Sequence, residues 1–236
     1  MHFLAIVAEG KPLFLALGKT ASPKSLKLSA LIGVDPVDGM LKGKQTPPKV
    51  LTYDPNSFDL EMAVLVIGSG LGEVRKNPLF LPCAPKGVNH EDFYKECRKL
   101  ACHFVAKDYG HVDMLDDDTK GIRGKSSYYL CKNGKSREPM RSFVGGVVVA
   151  FLRAYLEGDF SDLVGIRYGH EKVPLELQKV EFVDCMKLGY RRRENLLLED
   201  EDLVTITSFS VLRLVLYSYL LIASEMMKRI CDKLVI

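Results

Sequence analysis

Two side chains in this sequence have the types and the order for acid–base chemistry: Asp35, directly after the apolar run LSALIGV, and His111, in the loop Asp108-Tyr109-Gly110-His111 that follows HFVAK. A histidine on a strand-end loop can take a proton from a hydroxyl. An aspartate earlier in the chain can hold the imidazole in the right tautomer and stabilise the imidazolium. Acid first, histidine later is the back half of a serine–acid–histidine hydrolytic triad. The same two residues have a plainer reading, in which the aspartate caps a helix and the histidine bonds to a backbone group.

Other residues offer chemistry less well. Gly68-Ser69-Gly70 follows an apolar strand, but it is not G-x-S-x-G, and Pro78, Pro82 and Pro85 come after it where an elbow needs a helix. The same missing helix argues against a dinucleotide loop. Asp113, Asp116, Asp117 and Asp118 fit no EF-hand spacing and read as solvated loop or helix-N-terminal charge. His90 reads as a first-turn helix residue and His103 as the start of a strand, in the core. His170 reads as a loop residue and His2 as terminal and solvated.

The elements that must position Asp35 and His111 are legible. Residues 28–34, 63–67 and 103–107 are short apolar runs, each ended by a loop signal, and read as buried strands. Residues 13–18 read as the last turns of a helix closed by Gly18. Residues 36–59, with five prolines or glycines before Pro55, read as loop. Asn89 is placed to cap a helix from His90 to about Leu100. Residues 137–158 read as a long apolar helix in which Gly145-Gly146 implies close packing against a neighbour. Apolar strands alternating with helices imply a parallel sheet covered on both faces.

Bulk properties set limits. The chain has 236 residues, 47% hydrophobic and 27% charged, an ordinary globular composition. A net charge of +3 with scattered basic residues gives no nucleic-acid surface, and Arg191-Arg192-Arg193 reads as a solvated face. The six cysteines form no C-x-x-C pair. One bridge among Cys83, Cys97, Cys102 and Cys131 stays open beside buried thiols. The N-terminus resembles neither a signal nor a transit peptide. From about residue 184 the character changes. Residues 203–224 carry one charge, Arg213, and are long enough to span a bilayer. The central arginine and the Ser/Thr content favour a packed or surface-bound amphipathic helix.

Five segments carry a more specific signal: SALIGVDPVDG, PPKVLTYDPNSFDLEMAVLVIGSGLGE, PCAPKGVNHEDFYKEC, FVAKDYGHVDMLDDDTKGIRGKSSYYLCKNG and MRSFVGGVVVAFLRAYLEGD. They resemble consecutive blocks of the plant chlorophyllases, nearly without interruption over about residues 13–183. The resemblance implies an α/β class chain with part of an α/β-hydrolase fold over residues 1–183, and leaves residues 184–236 as an unmatched tail, helical by composition. It implies that Asp35 is the orienting acid, by the family's I-D-P-V block, and that His111 is the general base, by its D-Y-G-H block. It implies hydrolysis of the phytyl ester of chlorophyll to chlorophyllide and phytol through an acyl-serine. No metal or organic cofactor is implied, and the partner is a phytylated tetrapyrrole. The compartment implied is the chloroplast, endomembrane or cytosol of a plant cell.

The sequence departs from that family at one point. The nucleophile belongs to a G-H-S-R-G-G elbow before a helix ending F-A-L-A-L-G. Here Phe14-Leu15-Ala16-Leu17-Gly18 matches the helix end, whereas residues 7–11 read Val-Ala-Glu-Gly-Lys and no serine precedes Ser22. Without the elbow the tetrahedral intermediate loses donors worth about 3 kcal/mol each. The expectation is a chain that keeps acid and base but is inactive as it stands, with the strand at 28–34 left as an open edge. The alternative is a non-catalytic pseudoenzyme or truncated gene product that binds a tetrapyrrole or a protein partner.

Overall fold

The structure is a computed structural model. It describes residues 3–7, 28–58, 60, 62–115 and 129–183. The expected helix at 13–18, the elbow position beyond Val7, Asp116 to Asp118 and the whole tail from residue 184 lie outside the described residues. All described residues belong to one unit of the chain, Met1–Arg193.

Five strands form one sheet in chain order. They are β1 (Phe3–Val7), β2 (Leu28–Val34), β3 (Ala63–Ser69), β4 (Ala101–Ala106) and β5 (Leu177–Val183). The first four are parallel, with Val7 opposite Gly33, Val34 opposite Ile67 and Ile67 opposite Phe104; β5 closes the other side antiparallel to β4. Every residue of β3 and β4 is buried. That explains why they read as continuous apolar runs, since a parallel strand between two layers has no solvent face. This is a partial α/β-hydrolase arrangement, a mostly parallel sheet flanked by helices. One expectation is corrected: β2 is not an open edge, because β1 pairs along it.

The two faces are covered differently. One packs Leu31, Val64 and Val66 against Val88, Phe93 and Cys97 around α1 (His90–Glu96). On the other, Phe104 meets Phe143 of α2 (Glu138–Leu152) edge-on at 6.4 Å between centroids. Side chains alternate along a strand, so His103, next to Phe104, points to the α1 side, where Tyr94 stacks on its ring at 4.7 Å. Asn89 caps α1 as expected, accepting from Glu91 N, with Asp92 completing the capping box. Helix α1 ends earlier than the sequence suggests, at Glu96.

Helix α2 is continued by a π-helical turn, Arg153–Glu157, and stops at Gly158 in the left-handed region, φ 80°. It is apolar because it lies on the sheet. Its glycines do not mark close packing. Among the described residues nothing comes within 4 Å of a Cβ placed on Gly145 or Gly146. A third helix, α3 (Ser161–Tyr168), precedes β5.

The stretch 36–58 is irregular but organised by two buried acids. Asp38 accepts from Val50 N, Leu51 N and Gln45 Nε2 at 2.8–3.0 Å. Glu96, 2% exposed, accepts from Thr52 N, Thr52 Oγ1, Tyr53 N and Ser57 Oγ. Tyr53 sits at φ 66°, a conformation that a non-glycine residue holds only when its surroundings enforce it. Glu96→Ala would strand two backbone N–H groups and two hydroxyls. We expect it to cost about 3 kcal/mol, read as a lower urea midpoint with an unchanged slope.

Candidate functional site

Asp35 and His111 meet at the carboxyl end of the parallel strands, where folds of this kind keep their reactive groups. Asp35 is the residue after β2. Its amide still joins the ladder, donating to Ile67 O at 2.7 Å, but its φ of 43° turns the chain sharply there. Aspartate tolerates this left-handed conformation better than most residues. The turn aims the carboxylate across the end of β3. Ser69, the last residue of β3, holds it twice: its amide donates to Oδ1 at 3.1 Å and its hydroxyl to Oδ2 at 2.6 Å.

His111 reaches the same carboxylate from beyond β4. Nδ1 lies 2.8 Å from Asp35 Oδ2. In the neutral ring Nδ1–H donates to the acid, which makes Nε2 the basic nitrogen. The exposures suit this division of work. Asp35 is 1% exposed and the His111 side chain 24%, so the acid is sealed and the base faces outward.

The loop that carries His111 is fixed from behind. A Cβ on Gly110 would lie 1.8 Å from Lys132 O, so only glycine lets the two segments approach. Asp113 accepts from Gly110 N and Gly134 N, each at 2.7 Å. A disulfide between Cys83 and Cys131 ties this second segment to the loop after β3. The bridge left open by the sequence is therefore Cys83–Cys131, while Cys97 and Cys102 are buried thiols. Of the two readings of Asp113, helix-N-terminal charge holds and solvated loop does not: it lies in the 3-10 turn His111–Met114, 1% exposed, and braces the histidine loop.

His2 lies outside the described residues; the other histidines find their places. His90 is the first residue of α1, buried, with Nε2 4.0 Å from Asp35 Oδ1. Its Nδ1 is 2.9 Å from Nε2 of His103, whose Nδ1 is 2.8 Å from Glu181 Oε2 on β5. His170 lies beside Tyr168, with centroids 6.2 Å apart. Ser69, read as a weak nucleophile, is buried and committed to Asp35. Sequence reading missed Ser69 and His90 as partners of the acid. Their contacts span 34 and 55 residues and leave no local pattern. Among the described residues no group of three or more His, Cys, Asp or Glu is arranged to hold a metal ion.

Burial works to raise the Asp35 pKa. The hydrogen bond and charge of His111, the charge of His90 and the Ser69 hydroxyl outweigh it, so the group titrates below its ordinary value. For His103, burial first and the charge of His90 second outweigh Glu181 and push the ring down to about 4. Both signs point the same way. A depressed folded pKa contributes stability that is present above the unfolded pKa and lost as pH falls through the folded one. We expect the thermal midpoint to fall in two stages on acidification. The first runs from the ordinary histidine value of 6.5 to about 4 and is flattened in His103→Gln. The second lies below about 4, the unfolded aspartate range, and is flattened in Asp35→Asn.

Comparison with known proteins identifies the family. The family profile described as Chlorophyllase matches residues 9–184. The chain is 66% identical to Chlorophyllase-2 of Arabidopsis thaliana over 177 residues, 74% of this chain and 56% of the relative. It is 51% identical to Chlorophyllase-1 of Arabidopsis thaliana over 157 residues, 65% of this chain and 48% of the relative. It is 43% identical to the chloroplastic Chlorophyllase-1 of Citrus unshiu over 176 residues, 72% and 52% respectively. The chain spans about half the length of the curated relatives it matches. With an acid and a histidine joined at the strand ends and a profile match over most of its length, the chain belongs to the chlorophyllase family.

Proposed function

We propose that this chain supplies the acid–base half of a chlorophyll-hydrolysing esterase. The observation that carries the reading is the 2.8 Å contact between His111 Nδ1 and Asp35 Oδ2 at the carboxyl edge of the sheet. In this reading His111 Nε2 takes the proton of an attacking serine hydroxyl as the oxygen bonds to the ester carbonyl carbon. The imidazolium is held by Asp35 and then returns the proton to the departing phytol oxygen, leaving an acyl-serine. Water activated by the same nitrogen releases chlorophyllide. The substrate is a phytylated tetrapyrrole, as the names of the relatives suggest.

Among the described residues no serine stands beside His111 Nε2 in a contact that would make it the nucleophile. Ser69 cannot serve, because its hydroxyl is 1% exposed and donates to the acid itself. In this reading the serine belongs to a G-H-S-R-G-G segment ahead of Phe14-Leu15-Ala16-Leu17-Gly18, as the family resemblance implies.

Ester hydrolysis tests the reading. A protein joining such a segment to this chain should convert chlorophyll to chlorophyllide and phytol. His111→Ala in that protein should lower kcat by about 10³–10⁴. The 236-residue chain alone should turn over p-nitrophenyl esters no faster than background. Full activity of the joined protein with His111→Ala would overturn the assignment of the base. Turnover by the chain alone that His111→Ala abolishes would overturn the need for the added serine.

A further inference from the structure

Apolar side chains stand exposed on the loops at the strand-exit edge of the sheet, the edge that carries Asp35 and His111. The clearest run follows β3: Leu79-Phe80-Leu81, with Leu79 86% exposed and both neighbours also exposed. On the segment tied to that loop by Cys83–Cys131, Tyr129 is 72% exposed and Leu130 is exposed beside it. Met40 and Leu41 stand out on the loop after β2, and Leu115 does so just beyond the turn of His111. A lone exposed leucine is ordinary, whereas a contiguous group marks a surface that meets something apolar.

The loops are neighbours in space. Arg75 pairs with Cys131 in an isolated antiparallel bridge, Lys76 Nζ lies 6.0 Å from the centre of the Tyr129 ring, and a Cβ on Gly87 would lie 3.8 Å from Lys42 Cβ. Leu71 N donates to Tyr109 O at 2.9 Å, so the loop after β3 departs from beside the loop of His111. The tips therefore belong to one continuous edge.

Charge separates the possible occupants of such an edge. Exposed cations stand between the tips: Lys42 and Lys44 on the first loop, Arg75, Lys76 and Lys86 on the second, Lys132 on the third. Among the described residues of the loops 36–49, 70–88, 107–115 and 129–136, the exposed carboxylates are Glu73 and Asp108. Asp38 and Asp113 are buried and accept from backbone amides of their own surroundings. Leucine tips set among lysines fit a bilayer with anionic headgroups: aliphatic side chains enter the acyl layer, tyrosine settles at headgroup depth, and lysines reach the phosphates. A backbone that enters lipid must also have its polar groups satisfied. The tip after β3 meets this condition. Asn77 Oδ1 accepts from Leu79 N at 2.9 Å and Asn77 O from Phe80 N at 3.1 Å, and the flanking Pro78 and Pro82 carry no N–H.

We propose that this edge is a lipid-docking surface: Leu79-Phe80-Leu81 enters an anionic bilayer leaflet while Arg75, Lys76 and Lys86 bind its headgroup phosphates, with the outward-facing His111 opening toward the lipid. The surface does not depend on the hydrolytic reading, which supplies only a use for it, since a long-chain ester dissolves in lipid rather than in water.

The chain contains no tryptophan, so Phe80→Trp places a single fluorescent reporter on the tip. Tyr168→Trp, exposed at the end of α3, is the control. Arg167 beside it reaches the ring of Phe182, which pairs with Cys102 near the start of β4, away from the strand exits. The 236-residue chain is mixed with phosphatidylcholine vesicles that contain phosphatidylglycerol and a brominated lipid. We expect the Phe80→Trp emission to move to the blue and to be quenched, and Tyr168→Trp to change in neither respect. Omitting phosphatidylglycerol or adding salt should weaken the partition. In the Phe80→Trp background, Lys76→Ser should weaken it about fivefold and Leu79→Ser about tenfold, both at exposed positions that spare the core. Emission of Phe80→Trp unmoved by anionic vesicles would overturn the proposal, whether the chain then stays in solution or binds through residues 203–224. Equal quenching at both positions would do the same, because the contact would not be specific to this edge. A blue shift without lipid that grows with protein concentration would assign the edge to a second copy of the chain and end the lipid reading. None of these readouts involves turnover, so failure of the serine-bearing protein to hydrolyse chlorophyll would leave the docking result standing.

Discussion

A carboxylate with 1% exposure is the constraint around which the end of this sheet is built. Taking such an ion out of water costs several kcal/mol unless charge and hydrogen bonds replace the lost hydration. Asp35 obtains them from four groups: Ser69 N, Ser69 Oγ, His111 and His90. They come from three parts of the sheet's edge. β2 turns the acid inward through its positive φ, β3 delivers the serine, the loop after β4 delivers His111, and the first residue of α1 delivers His90. The pairing of Val34 with Ile67 and of Ile67 with Phe104 is what makes these meet. A slip of one residue in β3 would turn Ser69 to the other face and leave Oδ1 and Oδ2 each short of a donor.

His111 depends on the same principle at one remove. A loop side chain is usually less well positioned than one on a strand. Here the loop gains its precision from a second loop. The glycines at 110 and 134 let the two backbones touch, Asp113 bridges them, and Cys83–Cys131 anchors the far side. Burying Asp113 is worthwhile because it satisfies two amides that close packing would otherwise strand. Of the two acids, Asp35 therefore orients the imidazole and Asp113 fixes the loop that carries it.

Much of this was legible in the sequence, and the remainder was not for identifiable reasons. Strands β2, β3 and β4 announce themselves as apolar runs cut off by Asp35-Pro36, Gly68-Ser69-Gly70 and Asp108-Tyr109-Gly110, because parallel strands with two covered faces have no polar positions to confuse the pattern. The same strand ends offered Asp35 and His111 beside a plainer reading, and the resemblance to the chlorophyllases is what assigned them. Strand β5 did not, since LQKVEFV is a half-exposed antiparallel edge whose polar residues mask the period. Helix α3 is eight residues with little amphipathic character. Gly145-Gly146 suggested a contact that the helix does not make among the described residues, and the stretch 36–58 looked formless because its order comes from two buried acids rather than from propensity. The row of contacts from His90 through His103 to Glu181 was invisible as a row. His90 was read as a helix start and His103 as core, and both are. Only the fold brings Glu181 78 residues back to His103.

The parallel order also restricts where a nucleophile can enter. Strands β1 to β4 run the same way, so the chain leaves Val7, Val34, Ser69 and Ala106 at one edge. Asp35, Ser69 and the loop to His111 occupy the exits of β2, β3 and β4. The exit of β1, beside Gly33 in register, is the remaining parallel strand end at that edge. A serine on a sharp turn after such a strand would present its oxygen on the same side of the sheet as His111, which is how strand-end hydrolase sites bring a nucleophile and its base together from distant parts of a chain. With Asp35 sealed and His111 turned outward, the pair has the orientation that the proposed hydrolytic reading requires.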